Sequence, residues 1–367
     1  MKQIFRIFCL LLIGTILQPG CQKTRQDTPD DNPGGRKSVL LDSDMVEAFD
    51  DGVAFMIMLG SENIEIKGLT TVTGNVWAQE ALAYGVRIGE LCGGRNLDYI
   101  AGAQYPMRAG RLDSFDAQVD ANPGKDATYR GAMSYQAVND WKTFFENRYG
   151  HRPEIQPSSE DASEYIARQI LSAPGQMTIL AIGPCTNIAK ALVSHPEIAS
   201  KAKEIIYMGG AIWCEGNTTP YAEMNFLYDP EAAAICIRAP FPKQTIVSLD
   251  VCNTVRMDRQ QFMTVYQSVR SEGIKELFRS NYIYQLFEDD PSTIQLVWDL
   301  ISAVIMIDSG IITEYKDVRL DVDDIPTSST YGMLYETPSP SCQIVRVPIQ
   351  INQNKFWNIV TSRLSKF

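Results

Sequence analysis

Beyond residue 38, short apolar runs of strand length alternate with longer amphipathic stretches, and that rhythm restricts the chain to few folds. The runs at 38–41, 64–71, 177–181, 204–207 and 244–248 read as strands, and a helical stretch follows most of them. Such alternation builds an α/β domain with a mostly parallel central sheet and helices on both faces. In these sheets ligands bind beyond the carboxyl ends of the strands, so the loops after each strand should carry the chemistry. One helix start is explicit. Asp229-Pro230-Glu231 sets a capping carboxylate, a proline and an acid ahead of the apolar residues 232–237. The Asp-, Gly- and Ala-rich segment 110–125 reads as a long loop, and 150–159 as a second. No linker interrupts residues 38–367.

Directly after the first run comes Asp42-Ser43-Asp44-Met45-Val46-Glu47-Ala48-Phe49-Asp50-Asp51, with four aspartates around one strand-to-helix turn. Helix capping accounts for one or two of them. Four carboxylates this close raise one another's pKa and cost folding energy unless a cation sits among them. A hard divalent ion with oxygen ligands is the natural solution. A DxD after the first strand also occurs in haloacid-dehalogenase-type phosphatases, whose later Asp pair would have to come from Asp299 and Asp308.

The net charge of −11 and pI near 4.8 exclude nucleic acid as a partner, because phosphate backbones are bound by basic surfaces. Residues 1–20 have the basic start and short greasy run of an export signal, ending in Gly20 before Cys21. Lipid attachment at Cys21 is expected, followed by a polar, Pro/Gly-rich tether over 21–37. The protein would then be exported, periplasmic or at the cell surface, and touch a membrane only through that anchor. Six cysteines remain beyond the signal, at 92, 185, 214, 236, 252 and 342. None forms a CxxC, so they read as buried free thiols.

Several separate motifs resemble the inosine-uridine-preferring nucleoside hydrolases, in order, from about residue 38 to the C-terminus. The family's DxD and DD match Asp42, Asp44, Asp50 and Asp51, with the longer spacer of a bacterial branch. Gly68-Leu69-Thr70-Thr71-Val72-Thr73-Gly74-Asn75 is similar to its second strand, and Gly183-Pro184-Cys185-Thr186-Asn187 to a calcium-binding loop. Met208-Gly209-Gly210-Ala211, Glu215-Gly216-Asn217, Ala222-Glu223-Met224-Asn225 and Asp229-Pro230-Glu231 form the most specific block. Val297-Trp298-Asp299 and Asn354-Lys355-Phe356-Trp357 complete the match.

The resemblance implies the nucleoside hydrolase fold and a single Ca2+ held by Asp44, Asp51, the Thr186 carbonyl and Asp299. It implies that Asp44 also serves as base for the attacking water, with Asp42 supporting the loop or ligand shell. Asp50, Asn75, Asn217, Glu223 and Asn225 would bind the ribose. Where the nonspecific branch has a histidine, this chain has Trp298. A tryptophan there occurs in the purine-specific branch, where stacked rings activate the base, so purine nucleosides are expected with Tyr105 as the second ring. Of the two histidines, His195 reads as surface and His151 as a residue able to reach the mouth of the site. A homodimer or homotetramer is implied. The missing histidine also admits a non-catalytic nucleoside-binding relative.

Overall fold

The computed structural model describes residues 35–367, so the expected signal segment at 1–20, Cys21 and most of the expected 21–37 tether lie outside the described residues. The strands among them are β1 (Lys37–Ser43), β2 (Ile64–Thr71), β3 (Asp98–Ala101), β4 (Met177–Ala181), β5 (Glu204–Met208) and β6 (Gln244–Val247). Then follow β7 (Arg256–Met257), β8 (Gln295–Leu296), β9 (Ile312–Val322), β10 (Leu334–Glu336) and β11 (Ile344–Ile351). Nine form one sheet in the order β10-β9-β11-β6-β5-β4-β1-β2-β3, while β7 and β8 make a separate ribbon. Within the large sheet every pairing from β3 across to β11 is parallel, and only the two pairings made by β9 are antiparallel.

Strand side chains point alternately to opposite faces, and here the alternation feeds two cores. Val39 and Leu41 of β1, Leu180 beside them and Ile206 of β5 join one core. It includes the helices Asp51–Leu59, Ala78–Leu91 and Asp299–Ile307. Leu40, Ile179 and Ile205 face the other, with Ala162–Ser172, Thr186–Ser194 and Pro230–Arg238. Coverage on both faces is why the central strands read as nearly unbroken apolar runs.

The strand order changes direction between β1 and β4, so the loops that leave these neighbours diverge and open a crevice. The register sets Asp42 of β1 beside Ala181 of β4, which places the residues after both at that crevice. Two helices that start there, Asp51–Leu59 and Asp299–Ile307, pack on each other and are buried almost throughout. A helix that is apolar all round has no solvent face to present. Each opens with an acid, where the free amides and the helix dipole favour negative charge.

Residues 110–125 are not the loop their composition suggested, because Arg111–Ala121 is a helix. Its buried positions, Arg111, Phe115 and Val119, recur every four residues, and the last two pack on Ala222, Met224 and Leu227. Residues 150–159 are irregular, with one bridge between Ile100 and Ser158. Among the described residues no helix is long and apolar enough to cross a membrane. The six cysteines are unpaired, with Cys214 half-buried and the others buried.

Candidate active site

The loop after β1 doubles back so that its aspartates meet at the crevice. The Ser43 hydroxyl donates to Asp51 Oδ1 at 2.8 Å, tying the strand end to the helix start. Asp44 is fully buried beside two glycines that leave it room. A Cβ at Gly74 would lie 2.3 Å from Asp44 Oδ2, and one at Gly183 would lie 2.9 Å from Oδ1. The Asn75 amide donates to Asp44 Oδ2 at 2.6 Å, and its side-chain nitrogen reaches Asp51 Oδ2 at 3.4 Å.

Asp299 comes from the far end of the chain to the same place, and Asp51 lies within hydrogen-bonding reach of both Asp44 and Asp299. Burial pushes the Asp51 carboxyl up to about 6. It lifts Asp44 and Asp299 well above the usual range, with the Asp51 charge adding to burial. Asp44 Oδ1 and Asp299 Oδ1 are buried without a hydrogen-bond partner. Orphaned acceptors and crowded like charges are both costly, and a divalent cation with oxygen ligands relieves both at once. The donor set fits such an ion. Among the described residues no three side chains already enclose a common metal position.

Asp50 is the only non-glycine residue with positive φ among those described, at 41°. Its carboxylate accepts from the Trp298 and Leu300 amides, each at 3.0 Å, so it closes the start of the Asp299–Ile307 helix. Burial, with the Asp51 charge, raises it to about 7. Asp42 lies behind the cluster, accepting from Thr70 and from Asn187 at 2.7 Å, and burial raises it to about 6. Asn187 also binds Thr71 O and the Ala103 amide, so Asp42 braces the junction of several loops. The Thr186 hydroxyl donates to Asp229 Oδ2 at 2.7 Å, and Asp229 caps its own helix through the Ala232 amide.

A cavity of about 700 Å³ opens over the cluster. Asp50, Asp51, Asn75 and Asp299 line it together with Asn217, Glu223 and Asn225. Glu223 accepts from the amides of Gly210 at 2.8 Å and Asn225 at 2.9 Å, and burial raises its carboxyl. Asn217 Oδ1 accepts from the Met224 amide at 3.1 Å, and Asn225 Nδ2 donates to Met208 O at 3.2 Å. Asp42, Asp44 and Thr186 lie outside the lining.

Trp298 lines the cavity, with its ring edge-on to Phe49 at 6.5 Å between centroids. Tyr105 does not accompany it. That residue is 54% exposed and packs edge-on against Trp77 at 6.2 Å, outside the lining. Tyr129 and Tyr282 line the cavity instead, and the Tyr129 hydroxyl donates to Asn75 Oδ1 at 3.0 Å. His151 stacks edge-on against Phe145 beside Arg87 and is absent from the lining. His195 meets Glu164 near the surface. Asp308 pairs with Lys355 at 2.8 Å, so the Asp299/Asp308 pair a phosphatase would need is not assembled. Glu47 and Arg148 also line the cavity, and neither was singled out from sequence.

Fold and site together define an α/β protein whose cleft sets a cation-type carboxylate cluster beside groups suited to sugar hydroxyls. The chain belongs to the inosine-uridine preferring nucleoside hydrolase family, whose profile matches residues 39–358. It is 29% identical to uridine nucleosidase 1 of Arabidopsis thaliana over 224 residues, 61% of this chain and 60% of that protein. The chain thus spans less than two thirds of the plant nucleosidases it matches. It is 26% identical to the inosine-uridine preferring nucleoside hydrolase of Leishmania major over 338 residues, 90% of this chain and 98% of that one. A solved plant nucleoside hydrolase shares the fold with a TM-score of 0.71 at 22% identity, covering 90% of this chain and 99% of its own. The family typically uses a divalent metal.

Proposed function

We propose that the protein hydrolyses the N-glycosidic bond of ribonucleosides, using calcium and preferring purine bases, to give ribose and a free base. One observation carries this: Asp51 and Asp299 share a single cavity with Asn217, Glu223 and Asn225. Asp44, Asp51, Asp299 and the Thr186 carbonyl would hold the cation. The chemistry a bound cation supplies is orientation of the sugar diol and Lewis acidity toward a water. Asp44, with one oxygen free of protein partners, takes the proton of the attacking water. Asp50, Asn75, Asn217, Glu223 and Asn225 hold the ribose, and the carboxylates of Asp50 and Glu223 face it with negative charge. The sugar becomes cationic as the bond breaks, and surrounding carboxylates stabilise that charge. Trp298 offers an indole ring to the base, and stacking of this kind contributes about 1–3 kcal/mol in binding.

Purified protein is incubated with inosine, guanosine, adenosine and uridine, with calcium or with a chelator, and released base is measured. Purine release that stops on chelation and returns with calcium is expected. Asp44→Asn should lower kcat by about 10²-fold or more. Nucleoside binding without release of any base would point instead to the non-catalytic relative. Assembly as a homodimer or homotetramer is part of the same proposal, and light scattering measures it.

A further inference from the structure

Glu47 sits between Asp44 and Asp50 in the loop after β1, and Arg148 comes from the helix Trp141–Tyr149. The two meet in the cavity wall. Arg148 Nε donates to Glu47 Oε1 at 3.1 Å, Arg148 Nη2 donates to Oε2, and the Tyr149 hydroxyl donates to Oε1. The Glu47 side chain is 4% exposed, while that of Arg148 is 36% exposed. The guanidinium also lies over the Tyr84 ring, 5.3 Å from its centroid. It also lies 5.9 Å from the centroid of the Tyr149 ring, so two of its three nitrogens are held and two aromatic rings pack against it. Nη1 is the corner left over, with no hydrogen-bond acceptor among the described residues, on a side chain that lines the cavity.

A guanidinium fixed along one edge, with no protein acceptor at the opposite corner, in a side chain that lines the cavity, is pre-organised for an acceptor there. The reaction produces one. When the bond between C1′ and the base nitrogen breaks, its electron pair stays on the base, which departs with negative charge unless a proton arrives. In a base with a ring carbonyl that charge delocalises onto the carbonyl oxygen. No histidine lines the cavity to supply the proton.

We propose that Arg148, clamped by Glu47, is a catalytic residue that binds a ring carbonyl of the departing base through Nη1 and stabilises the charge it gains. This rests on the nucleoside hydrolase reading. Water supplies hydroxide to C1′ and a proton to Asp44, the base keeps the electron pair of the broken bond, and it takes its proton from solvent afterwards. Arg148 keeps its own protons throughout. Hydrogen bonds between ions are the strong ones, and donors aimed at a developing anion act where charge appears. Adenosine has an amino group in place of the inosine carbonyl and gains nothing from this contact.

The test compares kcat/KM on inosine, adenosine and p-nitrophenyl β-D-riboside, whose phenolate leaves without help. Arg148→Met should lower inosine hydrolysis by about 10²-fold, the size expected for loss of an oxyanion donor. It should lower the nitrophenyl riboside by less than about 3-fold and erase any preference for inosine over adenosine. Arg148→Lys should recover part of the loss. Glu47→Gln/Arg148→Met removes both charges, so no lone buried carboxylate can unfold the protein, and it should show the same pattern. Equal losses on all three substrates, or unchanged inosine hydrolysis, in variants that melt like the wild type would overturn the role of Arg148. A wild type inert on all three, calcium present, would refute the hydrolase reading itself.

Discussion

Asn75 shows how much hangs on single side chains in this site. Its amide holds Asp44, its side-chain nitrogen reaches Asp51, and its side-chain oxygen receives the Tyr129 hydroxyl. That last bond orients the Asn75 amide so that nitrogen faces the carboxylates. Tyr129→Phe should therefore lower kcat/KM for a nucleoside by about 3- to 10-fold, the net worth of one such bond. Tyr105→Phe should change it little, because Tyr105 faces Trp77 outside the cavity. Steady-state kinetics on the two variants checks both statements, and equal effects would contradict the placement. The four aspartates stood out because they crowd one turn after the first strand, whereas Asn217, Glu223 and Trp298 stood out only through the resemblance of their motifs to the family. Tyr129 did not stand out. Two tyrosines in neighbouring loops look alike in sequence, and only the path of the chain decides which ring faces inward.

At the scale of elements, the helix Asp299–Ile307 depends on a residue it does not contain. Its first amides would be unsatisfied in a buried setting, and Asp50, 248 positions away from Trp298, supplies the acceptor. Asp50 holds a strained φ of 41° to do so. Asp50→Ala leaves two buried amides without partners and should destabilise the protein by about 1–3 kcal/mol. Urea unfolding measures this, and Asp50→Asn should restore part of the loss. A neutral Asp50→Ala would show that water replaces the carboxylate without cost. The cap of the Pro230–Arg238 helix could be read from sequence because Asp229 is local to it. The helix Arg111–Ala121 escaped notice because small and acidic residues surround its stripe, yet Arg111, Phe115 and Val119 are spaced for one face.

For the molecule as a whole, the buried acids make stability depend on pH and on the cation. Burial raises Asp42 and Asp51 to about 6 and Asp50 to about 7, from an ordinary 3.8. Between those values the folded state binds more protons than the unfolded chain, so stability falls as pH rises through 6 to 7. Chelated protein should therefore melt at lower temperature at pH 7.5 than at pH 5.5. A cation binds the ionised carboxylates, so the rise in Tm on adding calcium should grow over the same interval. Scanning fluorimetry across that range reads both, and a flat profile would mean that the cluster carries no such charge. The lipid anchor expected at Cys21 is a proposal at this scale too. Cys21→Ser should move the protein from the membrane fraction to the released fraction of the cells that export it.

The α/β architecture, the crevice end of the sheet and the motifs of the family were all written locally, because strand periodicity and strand-to-helix turns are set by residues close in the chain. The pairing of Asp50 with Trp298, the approach of Asp299 to Asp51, and the clamp of Glu47 on Arg148 were settled only by folding. Their partners lie far apart in sequence, and nothing short of the packed sheet and its two buried helices brings them within the few ångströms where hydrogen bonds and charges act.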